Sequence, residues 1–299
     1  MVGIYVTHYV RRGLPGYNDM VVECASILQR VMKLDGDAAT LTIVYWTDDE
    51  ELDADLRARL PAGVDAVRRD SGSQTYLMNQ ATEIAKQRGD DLFVCLHNDV
   101  KPARGWLRNL VTDVRAAEMK YGRGNVIASP RYLPYHWGNP CPAAFKDPAF
   151  WDRIRPEVEA KVLSNAAMRA WCDKHGFSFD GDLVHSPRTS FTTDDGHALM
   201  MYCAAPNFFD VIGGCDESFV GTNYGDCDWG IRALRAGKKN LISQGALLGH
   251  ISGLTFFHPT VRSELDDNDN RFIAKWDLST FRELIDGSIW PRLHREQAR

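Results

Sequence analysis

The chain has 299 residues, 44% of them hydrophobic and 25% charged, which is ordinary globular usage with ample apolar surface for a large core. Its net charge is −5 and neither sign forms a long block, so no basic footprint for nucleic acid is visible. No apolar run approaches the ~18 residues of a membrane span and the start lacks a signal-peptide core, while seven cysteines without a CxxC pair read as reduced thiols of a cytoplasmic protein.

Taken in chain order, Gly3 to Thr7 is a short apolar strand followed by the polar turn RRGLPGYND. Asn18 or Asp19 can cap the helix MVVECASILQRVMKL. LTIVYWTDD (41–49) is a second strand, β-branched and aromatic, that ends in carboxylates. DADLRARL is a short helix and GVDAVRR a weaker strand. A loop and amphipathic helix (71–91) then run into the strand LFVCL, which breaks into His97-Asn98-Asp99. A further helix (106–122) and strand (125–131) follow. Strands alternating with helices predict a mostly parallel, doubly wound α/β sheet with helices on both faces. In such sheets ligands bind beyond the carboxyl ends of the strands, where Thr7, Asp48 and the HND triplet fall.

Residues 132–195 differ in character: they are rich in proline and aromatics, with one helix within 156–176. They read as an insertion that serves as an acceptor-specificity wall or as a contact between two copies in a homodimer. Sheet-like sequence resumes at HALMMYCAA (197–205), and 277–299 reads as a helical tail. The expected organisation is therefore 1–131, an insertion at 132–195, a second half at 196–276, and the tail.

The first turn, THYVRRGLPG, lacks GxGxxG, and no GxxxxGK[ST] is present, which removes the dinucleotide and P-loop readings. A histidine two residues before a carboxylate at a strand end suits a cation that bridges phosphate oxygens. Mg2+ or Mn2+ fits, and His97 tilts the choice towards Mn2+. Against this, Asp99 can simply cap the loop before Pro102. Asp226 and Asp228 stand two apart before WGIRALRAG; they cap a helix, or one acts as a general base while the other positions, through Arg232. His250 ends another apolar run.

These features, in this order, resemble a family 2 glycosyltransferase of the GT-A fold. The resemblance is carried by Val6-Thr7-His8-Tyr9 with Arg11, Asp48, Asn79, Leu96-His97-Asn98-Asp99 and Gly213-Gly214-Cys215-Asp216-Glu217-Ser218-Phe219. Asp226-Cys227-Asp228-Trp229 with Arg232, then His250, and finally Asn270-Arg271-Phe272 to Lys275-Trp276 complete it. It implies that Thr7, Tyr9 and Asp48 contact the base and ribose of a nucleotide-sugar donor (UDP-, GDP- or dTDP-linked), with Arg11, Asn79 and Asn98 in the same donor-binding set. It also implies that Asp99 and His97 hold the cation, with His250 a further metal or phosphate contact. His97 stands where the first Asp of a DxD usually lies, and Gly225 where a Glu usually precedes the base, so the base is Asp226 or Asp228. The implied reaction is a metal-dependent, inverting transfer of a sugar to a hydroxyl of a glycan, lipid-linked glycan, protein or modified DNA base. A sugar-phosphate nucleotidyltransferase, a metal hydrolase and a non-catalytic carbohydrate- or nucleotide-binding module are the competing readings.

Overall fold

The computed structural model describes residues 1–10, 17–133, 165–180, 183–185, 191–192, 201–219, 224–250 and 267–297. Its first half runs β1 (Val2–Val10), α1 (Tyr17–Asp35), β2 (Ala39–Thr47), α2 (Glu50–Arg59), β3 (Asp65–Arg68) and α3 (Gln74–Arg88). It continues with β4 (Leu92–His97), β5 (Val100–Pro102), α4 (Trp106–Tyr121) and β6 (Val126–Leu133). Then come α5 (Asn165–Lys174), β7 (Ser178–Asp180), β8 (Leu183–His185), β9 (Phe191–Thr192) and β10 (Tyr202–Ala204). The chain closes with α6 (Phe209–Ile212), α7 (Gly225–Arg235), β11 (Lys239–His250), α8 (Asn268–Trp276), α9 (Leu278–Asp286) and α10 (Ile289–Gln297).

One sheet takes strands in the order β3-β2-β1-β4-β10-β6-β11-β5, with β9 also on β11. It is mixed. Strands β3, β2, β1 and β4 pair in parallel, as do β6 and β11. Strand β10 enters antiparallel between β4 and β6, and β5 and β9 join β11 antiparallel. Since β10 reverses twice between its neighbours, β1, β2, β4, β6 and β11 all end at one edge.

Side-chain alternation builds two cores, because successive strand residues face opposite sides. Ile4, Val6, Leu92, Val94 and Leu96 pack against α1 and α4 through Val21, Leu28, Trp106 and Leu110. Tyr5, Val44, Phe93 and Cys95 face the other way, onto Leu77, Met78 and Ala81 of α3 and Trp229 of α7. Helices therefore cover both faces, and each buried aliphatic or Phe side chain contributes about 1.5–3 kcal/mol. A third cluster joins α7 to the tail through Ile231, Leu234, Phe272, Ile289 and Trp290. Among the described residues, no helix is long and apolar enough to cross a membrane, and six cysteines are free thiols. Most of the 132–195 insertion, including its tryptophan at 137 and all of its prolines, lies outside the described residues.

Candidate functional site

The HND triplet sits where β4 gives out. His97 is the last residue of β4, Asn98 and Asp99 make the turn, and β5 begins at Val100. Because β5 pairs with the end of β11, Val100 lies opposite His250. The register brings His97, Asp99 and His250 together, with one ligand atom from each lying within 4.8 Å of the others. His250 Nε2 is 3.2 Å from Asp99 Oδ1, and the two imidazole rings stand edge to face at 5.4 Å.

His97 Nε2 is fully covered and has no hydrogen-bond partner among the described residues. Burial, reinforced by the neighbouring His250, lowers the ring to about 4, so it is neutral at physiological pH. A buried nitrogen with a free lone pair, beside a carboxylate and a second imidazole, fits a divalent cation, and mixed N/O donors suit Mn2+ better than Mg2+.

Asn98 turns away from this corner. Its Nδ2 lies 2.7 Å from His8 Nδ1, and His8 Nε2 lies 3.2 Å from Asn18 Oδ1. Asn18 in turn donates to Asp55 and to the Leu52 carbonyl. Burial holds His8 neutral, down to about 4, so one ring nitrogen donates and the other accepts. His8 was visible in the sequence only as a letter in the first-turn motif; its position inside a polar chain running from β1 to α2 was not.

The remaining donor-site candidates separate into two groups. Thr7 is the register neighbour of His97. Its hydroxyl donates to Leu96 O at 3.2 Å and accepts from Gln74 Nε2. Asn79 is spent on the 213–217 turn: its amide donates to Cys215 O at 2.9 Å and Glu217 Oε1 at 2.7 Å, and accepts from Cys215 N at 2.7 Å. Gly214 is required there, since a Cβ would stand 2.4 Å from Asn79 Oδ1. Tyr9, by contrast, lies half-buried beside Trp46 across the β1–β2 ladder, with Tyr76 and Val67 on the same apolar cluster. The chain at Gly72 runs flat on the Trp46 ring, where a Cβ would sit 2.1 Å away. Asp48 is exposed just past β2. Arg11 lies outside the described residues.

Asp226 and Asp228 both belong to the first turn of α7, which begins at Gly225, four residues earlier than the apolar spacing suggested. Their surroundings differ. Asp228 is fully buried. Its Oδ2 accepts from Arg232 Nε at 2.9 Å and Nη2 at 2.8 Å, and its Oδ1 accepts from Trp276 Nε1 and lies beside Lys275 Nζ, each at 2.8 Å. Asp226 accepts from the Cys227 amide at 2.9 Å, and burial raises its carboxyl to about 6. That is the value of a carboxylic acid able to exchange a proton near neutrality.

The two parts of the site are linked through the start of α3. Gln74 touches Thr7 beside His97, and the next residue, Thr75, donates to Phe219 O at 3.0 Å, holding the segment that follows the glycine turn. Gln74 and Thr75 carry no metal-ligand or acid–base chemistry, which is why sequence reasoning passed over them.

No protein-family model matches the sequence, and no curated protein matches it. Among solved structures, the chain is similar to a crystal structure of GalNAc-T7 with UDP, GalNAc and Mn2+, at 13% identity and a TM-score of 0.47. The likeness covers 84% of this chain and 43% of that one, so the chain spans less than half of the neighbour's length.

Proposed function

We propose that this chain is a metal-dependent, inverting glycosyltransferase that moves a sugar from a nucleotide-sugar donor to an acceptor hydroxyl. The observation that carries the reading is the corner of His97, Asp99 and His250 at the carboxyl edge of the sheet, in which a buried imidazole nitrogen has no partner among the described residues. The family resemblance of the motifs supports it, as does the half-buried Asp226 carboxyl, raised to about 6 on the first turn of α7.

In this reading His97, Asp99 and His250 would hold a divalent cation, which when bound would supply positive charge to the leaving diphosphate. Tyr9, with Trp46 and Tyr76, forms the aromatic shelf for the base, and Asp48 takes the ribose hydroxyls at the open end of β2. Asp226 accepts the proton of the acceptor hydroxyl as that oxygen attacks the anomeric carbon from the face opposite the leaving group. Asp228 positions rather than reacts, because both its oxygens are engaged. Arg11, Asn79, Asn98 and Thr7 complete the donor side, the last three by holding strand ends and turns in place.

No covalent enzyme intermediate is required. Burial drives the thiols beside the site, Cys24, Cys215 and Cys227, well above the ordinary cysteine range, so none is a ready nucleophile. The acceptor is a glycan, a lipid-linked glycan, a protein or a modified base, met by the 132–195 insertion.

Thermal shift of the protein with UDP-, GDP- and dTDP-sugars, with and without Mn2+, tests the reading directly. Stabilisation that needs both donor and cation, and that is lost in Asp99→Ala, is expected. Stabilisation by NTP plus sugar phosphate instead would replace the reading with nucleotidyl transfer. No response to any nucleotide would end it.

A further inference from the structure

We propose that Lys275 and Trp276, at the end of α8, are positioning residues for Asp226, acting through Asp228. The inference rests on the reading of Asp226 as the base, but its geometry stands independently. Helix α7 starts without ordinary support. Its N-cap, Tyr224, is held in the left-handed region at φ 63° and makes no side-chain capping bond. First-turn amides have no partners within a helix, so an uncapped start frays, and a left-handed non-glycine persists only when its surroundings fix it.

The Tyr224 ring packs against Phe272 and Phe281, and what ties the turn through charge is Asp228. Its carboxylate joins three segments that are distant in sequence. Within α7 it takes both nitrogens of Arg232, whose other donors hold the Ile212 carbonyl, Gly213 O at 3.3 Å and Gly214 O at 2.7 Å. From α8 it takes Lys275 and Trp276. Lys275 reaches on to Asp216 Oδ2 at 2.6 Å, so the same ammonium also ties the loop after the glycine turn. The Trp276 ring is clamped by the Arg235 guanidinium, 4.8 Å from its centroid. Two cations and two carboxylates balance in this cluster, and the strength of such a group lies in every member being met.

Asp226 precedes Asp228 by two residues, about 200° around the helix, so it points away from the cluster yet moves with the same turn. Loosening Asp228 from α8 frees that turn, opens Asp226 to water and turns its carboxyl from the acceptor. Helix α8 is then part of the catalytic apparatus through Asp228 alone.

The titratable groups coupled to Asp226 are Cys227 on its own turn and Cys215 on the adjoining loop, both held as thiols by burial. Lys275 is not among the causes of its shift. Loss of the ammonium as a charge alone would move Asp226 upward, if at all. Entry of water would move it downward.

The test is a 13C-carboxyl NMR titration of Asp226, with amide hydrogen exchange over 225–230, on the full chain. Wild type, Lys275→Met, Lys275→Arg, Trp276→Phe and Arg292→Met are compared. Arg292 pairs with Glu283 and Glu296 inside the tail and serves as the control for general loosening of α9 and α10. In wild type the titration is expected near 6. Lys275→Met and Trp276→Phe lower it towards the ordinary aspartate value and speed exchange about tenfold. Lys275→Arg and Arg292→Met leave both close to wild type. Unchanged titration and exchange in both Lys275→Met and Trp276→Phe overturn the proposal, and so does an equal response in Arg292→Met. In a transfer assay the first two variants lose about tenfold in kcat with little change in donor KM. Absence of transfer by the wild type would sink the transferase reading while the titration still decides the positioning.

Discussion

Two buried polar clusters in this molecule invite opposite conclusions. At the Asp228 cluster each carboxylate oxygen meets two donors. At the His97 corner a buried ring nitrogen meets none among the described residues. Burying an unmet polar atom costs roughly 1–3 kcal/mol, so a fold keeps one only where something else is gained. The saturated cluster holds the architecture together. The unsaturated one is where the proposed cation would bind.

That contrast is broken most severely at Asp228. Asp228→Ala removes the fully buried carboxylate that Arg232, Lys275 and Trp276 share, and should cost about 1–3 kcal/mol, read as a lower urea midpoint with the slope unchanged. Asp226→Asn should do the reverse: turnover falls roughly 10²–10⁴-fold while the fold at neutral pH is at least as stable as before. It should also remove a pH effect. Burial raises Asp226 to about 6 in the folded state, above the unfolded value of about 4. The folded chain therefore keeps its proton longer, and wild-type stability falls as pH rises from about 4 to 6. The variant lacks that fall, and the wild-type turnover appears on the alkaline side of the same interval. His97→Ala sharpens the other side of the comparison: Mn2+ affinity, measured by calorimetry on the protein alone, should drop about 10–100-fold with little change in melting temperature. The smallest effect is expected at Asn98→Ala, about 1 kcal/mol for a lost bond to His8. Retention of full Mn2+ binding in that variant would confirm that Asn98 supports the corner without joining it.

Much of the fold was legible because its strands are short apolar runs ended by polar residues, and its helices carry regular apolar spacing. The run LFVCL and the segment LTIVYWTDD became β4 and β2 nearly as read, and helices and strands alternate as expected through residue 131 except where β5 follows β4 directly. The antiparallel β10 was not legible: three residues of strand have no sequence mark of direction, and direction is decided by what lies on either side. The cation corner was half legible. His97, Asp99 and His250 announced themselves as strand-end residues, but their meeting depends on β5, too short to see. The parts that escaped are those made of unremarkable residues. Gln74 and Thr75 act only through a partner far away in sequence, and Lys275 and Trp276, quoted in the resemblance, had no role assigned because their partner Asp228 is just as far. Thr7 and Asn79, expected at the donor, are engaged in holding Gln74 and the glycine turn.

The short β5–β11 ladder has a consequence for how the molecule comes into being. It joins residue 100 to residue 250, so the corner closes only after nearly the whole sheet has been laid down. Contacts of such large sequence separation form slowly, because the loop entropy is lost before the contact returns anything. A chain still emerging from the ribosome with β1 to β4 in place would present His97 and Asp99 without their third ligand, and would have little hold on a cation. On the proposed reading, metal capture is a late event in biogenesis: a partly folded chain would stay metal-free, and the finished one would gain added stability from the ion it had just become able to bind.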